Sequence, residues 1–515
     1  MVVTGYVRGA KSLLTRYGRD CRALHLDSSE RREGLQFRLQ VPVRGSTQRA
    51  HHCRLAISHR LQGRVGSQPS AAKRGPVRII ACGEGLCIDR WVPLHTVLAA
   101  PSGSGGTVAG HGPTASRVTV APGVTVPVPT PTPPVPPDVP ASRFVSPTGS
   151  DSASCGADDP CSSFDRAYQQ AQPGQVVEVA GGSYPTQTIE YDSSKTSADD
   201  VYFRPATGAA VEVTGDIDVY ASHVTFMAMR ARDTDVLYDG PADVRDVTFW
   251  AMDGRNFTID SGQEVSVIGG DYGPASSCGG TYGGGNNGIR MNRPGVVPSD
   301  ILIWGVDIHD VQSYDLEACH IECLIVGAGE NITVRSSRFW NCSIFDIFLQ
   351  PFNGSISDVT LENNWFAAPT DPNGKVNSGR AVEFSGGGPW QNLLIRHNSV
   401  NTAINLNDGA ESPQYVNSRV IGNIAERANP PCFSGVTYRS NVWFGGTGTC
   451  DSSDRSLGGA PPPFVLAGDH ADLDYHLTGG VAVDLVPTSV SNLAEDVDGE
   501  ARPDGPALDA GSDER

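Results

Sequence analysis

Five short apolar runs between residues 288 and 407 carry charged, amide and aromatic side chains at alternate positions. They read GIRM (288–291), CLIV (323–326), DIFLQ (346–350), AVEF (381–384) and AINLN (403–407). Side chains alternate between the two faces of a strand, so inward apolar residues leave the others outside. One outward column is then Arg290, Ile325, Phe348, Glu383 and Asn405. A neighbouring column is Asn292, Gly327, Gln350, Ser385 and Asn407, and Asp346 belongs to another. Stacked strands lie ~4.8 Å apart. Such a face offers polar groups and an exposed aromatic, Phe348, at a repeat close to the rise of a sugar chain.

Two chemistries suit these residues. Hydrolysis of a glycosidic bond needs two carboxylates flanking it, and Asp346, Glu383, Glu322 and Asp408 are available. Elimination beside a uronic acid needs a base, and cations to neutralise the carboxylate. Arg290, Lys375 and Arg380 supply cations, and His320 is a further candidate base. The candidate catalytic set is therefore Arg290, Asp346, Lys375, Arg380 and Glu383. The candidate binding set is Asn292, His320, Phe348, Gln350, Asn405 and Asn407. Insertions at 272–287, 314–322, 369–380 and 408–417 can wall a cleft. Neither set is a motif. The competing reading is a non-catalytic glycan-binding or adhesin-like scaffold, in which these are structural or solvated surface groups. Clustered titratable groups would favour the enzyme, and a flat polar face the scaffold.

What must position them is a repeat. The pattern apolar-x-apolar-x-x-small-or-polar recurs from anchors Val224, Val247, Val265, Ile301, Ile332, Val359, Leu393, Ser418 and Val436. Asn fills the slot five residues on in four successive copies, at Asn364, Asn398, Asn423 and Asn441. Anchors 18 to 36 residues apart describe a solenoid with variable loops. Apolar residues two apart describe strands, and helical spacing is missing. The Asn column predicts a stacked internal ladder at a corner, where Asn tolerates unusual backbone angles. A β-sandwich is the alternative, but it gives no reason to repeat one Asn slot.

The chain divides by composition. Residues 1–100 hold 17 Lys+Arg against 6 Asp+Glu, so the rest carries about −29 of a chain total of −18. They read as a basic leader without pattern, disordered or preceding the true start. Residues 101–142 are Gly/Ser-rich and then Pro/Thr/Val-rich, a polyproline-type linker. Residues 143–515 form the folded domain. A helix over 163–171 caps it, with Phe164, Ala167, Tyr168 and Ala171 on its apolar face. Coils fill 175–450, and 451–515 closes the domain.

Several segments carry a resemblance. Ser146-Pro147-Thr148-Gly149-Ser150-Asp151, Pro173-Gly174-Gln175-Val176-Val177 and Gly182-Ser183-Tyr184 resemble the start of secreted bacterial proteins of the pectin-lyase-like fold. Residues 474–486 and 496–514 are similar to their closing segment, and 319–366 resemble an actinobacterial-type subgroup of unknown activity. The resemblance implies an all-β, right-handed parallel β-helix over about 144–514. It implies no single activity, because this fold hosts lyases, hydrolases, epimerases and adhesins. The paired-Asp and Gly-His-Gly signature of polygalacturonase-type hydrolases is missing. So is the Arg-x-Pro-x-x-Arg pattern of the best-known pectate lyases.

Eight of the twelve Cys lie in the folded part. Cys155 with Cys161, and Cys432 with Cys450, are local pairs. Cys278, Cys319, Cys323 and Cys342 can pair in more than one way. A zinc site at Cys319-His320-x-x-Cys323 with Cys342 competes with stacked disulfides. An even set of local pairs points to an oxidising compartment, hence an extracellular or cell-surface protein. The acidic domain repels polyuronates unless basic groups or Ca²⁺ intervene, so Ca²⁺ is the candidate cofactor. No apolar stretch suffices to cross a membrane. The expected partner is a polysaccharide or cell-surface glycan and not nucleic acid, and the expected state is a monomer.

Overall fold

The protein is described by a computed structural model. It describes residues 139–515 except 238–243, 276–288, 292–294, 313–320, 368–379, 387, 407–413, 430–431, 447 and 468–472. Before residue 139 it describes strands only, between Val2 and Val92. The linker expected over 101–142 thus falls almost wholly outside the described residues. Two units result, Met1–Ala121 and Pro122–Arg515. In the first, Val2–Arg8 pairs antiparallel with Gly34–Gln40 and with Val77–Gly83. The sequence suggested no strands there.

The second unit is a parallel β-helix. One parallel sheet stacks the repeat strands, from Arg143–Val145 to Val436–Arg439. A second sheet of 20 strands takes two further strands from most coils. The anchors share one register. Val224 lies opposite Val247, then Val265, Ile301, Ile332 and Val359. Thr360 lies opposite Leu394, which aligns Val359 with Leu393, and Ser418 lies opposite Val436. Two residues on, Phe226, Phe249, Val267, Ile303, Val334, Leu361, Ile395 and Val420 are all buried. The spacing repeats because each coil must return one apolar pair to the same interior.

The Asn ladder lies inside. Asn364 Nδ2 donates to Asn398 Oδ1 at 3.0 Å, Asn398 to Asn423 at 2.9 Å, and Asn423 to Asn441 at 3.1 Å. Asn441 continues to Asp454 at 3.2 Å. The same oxygens accept the backbone N–H of the Asn below, as Asn398 Oδ1 does from Asn364. All four are fully buried. The unusual backbone angles belong one residue earlier, at Asn363, His397, Gly422 and Ser440, with φ between 51° and 62°. A left-handed residue turns the chain, and the next side chain then points inward.

A second left-handed column precedes the anchors: His223, Asp246, Glu264, Asp300, Asn331, Asp358, Asn392 and Asn417. Asn331 bonds Asp300, Asn392 bonds Asp358 at 2.7 Å, and Asn417 bonds Asn392 at 2.7 Å. This ladder is solvent-facing.

A helix, Phe164–Gln170, is N-capped by Ser163, whose Oγ accepts from Arg166 N. Its Phe164 ring stacks on Phe203 at 5.3 Å, and Phe203, Phe226 and Phe249 continue the stack. The C-terminal segment runs back along the coils. His397 Nδ1 meets Asp509 O at 3.0 Å, Asn363 Nδ2 donates to Glu495 O, and Ser512 meets Ser399.

Disulfides join Cys155–Cys161, Cys323–Cys342 and Cys432–Cys450. Cys278 and Cys319 lie outside the described residues. Cys323 and Cys342 close a loop of 19 residues between neighbouring coils. Replacing both by Ser is expected to cost roughly 3 kcal/mol, read as a lowered denaturation midpoint against the parent under non-reducing conditions. Equal midpoints would show that the bond contributes nothing.

Candidate functional site

The outward column of the second runs is one register column. Arg290 lies opposite Ile325, Ile325 opposite Phe348, Phe348 opposite Glu383, and Glu383 opposite Asn405. Each coil offers its middle strand residue to the same line because the flanking residues are buried inside. Ile347, Leu349, Val382, Phe384 and Ile404 are at most 1% exposed.

Glu383 is the centre. Arg380 Nη1 lies 3.3 Å from both its oxygens. Asn405 Nδ2 donates to Oε1 at 2.6 Å and to Oε2 at 2.8 Å. Charge-assisted bonds from both sides fix the carboxylate plane. Glu383, Asp346 and Glu322 are all 0% exposed, on successive coils. Asp346 takes its place through the backbone, donating to Ala381 O and accepting from Leu324 N. Gln350 donates to Ser385 Oγ at 3.2 Å. Arg290, half-buried, reaches Thr258 Oγ1 at 3.4 Å.

Two expectations need correction. Phe348 is not an exposed aromatic. It is 7% exposed, stacks on Phe345 at 5.3 Å, and joins Ile325 and Ile344 in an apolar cluster separate from the main core. Burying an aromatic ring against three apolar neighbours is worth more than leaving it in water. Asn405 is likewise not a surface amide, being fully buried against Glu383. Asn292, His320, Lys375, Asn407 and Asp408 lie outside the described residues.

The column extends further than the runs suggested. Before Arg290 it continues through Thr258, Asp235, Asp218 and Thr188. Alongside runs Asp216, Asp233 and Asn256. Arg232 grips Asp216 at 2.8 Å and Arg255 grips Asp233 at 2.9 Å. Burial pushes the Asp235 carboxyl up to about 6, with Asp218 and Asp233 adding to the rise against Thr258 and Arg290. Burial also raises Asp218, and Asp216 adds to it. The sequence held a signal for this: DIDV (216–219) and DTDV (233–236) repeat Asp at alternate positions ahead of one Val.

Elsewhere, His309 sits between Asp310 and Asp271, each 2.7 Å away, and stacks flat on Trp340 at 4.3 Å. Burial alone would lower its pKa, but hydrogen bonds to Asp271 and Asp310 outweigh this and raise it to about 9. A raised histidine stabilises fully below its unfolded value near 6.5 and loses that contribution as pH rises towards 9. The loss is expected to be on the order of 3 kcal/mol, seen as a falling midpoint across that window. Asp310→Asn is expected to flatten the profile, and an unchanged profile would refute the assignment.

No family model matches the chain, and no curated protein matches it. Among solved structures it is similar to pectate lyase Pel9A at 15% identity, covering 74% of this chain and 98% of that one, with TM-score 0.40. It is similar to a rhamnogalacturonan lyase at 10% identity, over 63% and 91%, with TM-score 0.31. XylC, in complex with xylose, matches at 10% identity over 72% and 98%, with TM-score 0.35. The parallel β-helix itself rests on the strand pairing described above. Among the described residues no helix is long and apolar enough to cross a membrane.

Proposed function

We propose that the outward face of the central coils binds a polysaccharide and hydrolyses it, with Asp346 and Glu383 as the carboxylate pair. One observation carries this reading. Glu322, Asp346 and Glu383 are fully buried on successive coils, and the face that carries Glu383 is the one turned away from the core. Carboxylates are almost never fully buried, and burial costs several kcal/mol per ion. Such clusters occur where chemistry needs them as well as in structural ion-pair networks, and activity of the variants separates the two. Asp346 lies two residues before Phe348, which pairs with Glu383. Two residues along a strand and one strand across place the backbones about 8 Å apart. Side chains from such positions can bracket a glycosidic bond at the separations hydrolysis uses. Glu383, held on both oxygens, suits the role of nucleophile or base, and Asp346 that of acid. Elimination is less well supported, because the central cation, Arg380, is paired with Glu383.

The disulfides support a place outside the reducing cytoplasm, and we propose an extracellular monomer acting on a cell-surface or soluble glycan. The test is to incubate the full chain with a panel of neutral and acidic glycans. New reducing ends without unsaturated product are expected. Unsaturated product would replace hydrolysis by elimination. Binding without reaction would leave the non-catalytic scaffold.

A further inference from the structure

Three residues at the start of successive repeat strands converge on one point. Val201, Val224 and Val247 pair in register, so the residues before them stack as well. These are Asp200, His223 and Asp246, spaced by 23 residues each. One donor atom from each lies within 4.8 Å of the other two. His223 Nδ1 is 3.0 Å from Asp246 Oδ2. Two donors about 2.1 Å from a tetrahedral ion are about 3.4 Å apart, so this contact has only to open by a few tenths of an ångström to admit one.

Asp200 supplies the independent observation. It is only 8% exposed. Its Oδ2 accepts from Thr225 Oγ1, and its Oδ1 is buried with no donor beside it, facing the like-charged Asp246 carboxylate. A buried carboxylate oxygen without a partner is expensive. Among the described residues the recorded ion pair of this trio is His223 with Asp246, and no Lys or Arg pairs with it. His223 and Asp246 keep partly open side chains, at 14% and 29% exposed, so an ion can enter and keep water ligands.

We propose that Asp200, His223 and Asp246 form a divalent cation site that ties three successive coils together. Two carboxylates offset a double charge, and one imidazole favours a borderline ion such as zinc over an all-oxygen ion such as calcium. The column explains why it forms here. At the same slot in later coils stand Glu264, Asp300, Asn331 and Asp358. Asn331 there bonds Asp300, so an amide meets the acid. Between Asp200 and Asp246 the slot offers His instead.

The test uses the full chain, stripped with chelator and titrated with zinc or calcium by calorimetry. Zinc is expected to bind tighter than calcium and to raise the melting midpoint. His223→Ala and the near-isosteric Asp200→Asn are each expected to weaken one zinc equivalent at least tenfold and to abolish its stabilisation. Midpoints without metal show whether each variant is folded, and Asp200→Asn covers the case where His223→Ala is not. Zinc also has a second candidate group, His476, Asp498 and Asp513. Zinc binding that survives both substitutions unchanged therefore belongs elsewhere and overturns the proposal. So does the absence of zinc binding, or calcium binding that exceeds zinc.

Discussion

Glu383→Gln is expected to lower kcat on the responsive glycan by a factor of about 10² or more, with little change in binding. The substitution keeps the shape and removes the charge. Arg380 and Asn405 donate to both carboxylate oxygens, so the amide keeps one acceptor for them, loses the charge and cannot serve as nucleophile or base. Asp346→Asn is expected to cost a comparable factor. The two single changes and the double change separate the roles, because partners in one step are not additive. The opposite result is equally readable. If Glu383→Gln keeps full turnover while the melting midpoint falls, Arg380, Glu383 and Asn405 are a buried structural trio. The site then lies on another part of the face, with the Asp218 and Asp235 column next in line.

Asn398→Ala is expected to destabilise the domain by roughly 3–5 kcal/mol. Asn398 donates to Leu361 O at 2.8 Å, Arg396 O at 3.1 Å and Asn423 Oδ1 at 2.9 Å. Its Oδ1 accepts both the backbone and the side-chain N–H of Asn364. Removing it leaves several buried groups without partners, each worth about 1–3 kcal/mol before relaxation. Asn392→Gly is the control, because Asn392 has a left-handed backbone that Gly adopts without strain. Asn392 also stands in a ladder, between Asp358 and Asn417, but that ladder faces water. Solvent replaces its bonds, so the expected cost is within about 1 kcal/mol. Denaturant midpoints measured by circular dichroism decide between them. Equal effects would mean that burial is not what makes the inner ladder matter.

The repeat was legible because it is written in side-chain type at short range. An apolar residue at the anchor and another two positions on must face one interior, and Asn five positions on has no reason to recur outside a stacked coil. The column Arg290, Ile325, Phe348, Glu383 and Asn405 could be read from alternation within each run, since a strand allows no other assignment of faces once the apolar set is inside. Cys155 and Cys161 were close enough in sequence to pair unaided. Cys323 with Cys342 was one of several choices until neighbouring coils were placed.

Burial on the outward face could not be read. Alternation says which way Phe348 and Glu383 point but not what packs over them, and both point into covered ground. The left-handed slots were misplaced by one residue, because a turn's dihedral angles and the inward direction of the next side chain are coupled only in three dimensions. His223 and Asp246 stand directly before the anchors Val224 and Val247, but Val201 was not read as an anchor, so Asp200 was not placed in their column. Thus the sequence alone determined a β-solenoid, its interior register and its polar outer columns, all of which follow from local periodicity. Only the tertiary structure decided which carboxylates are buried together and which three residues meet at one corner. Those depend on how side chains of neighbouring coils pack once the coils are in register, which alternation along a single strand does not encode.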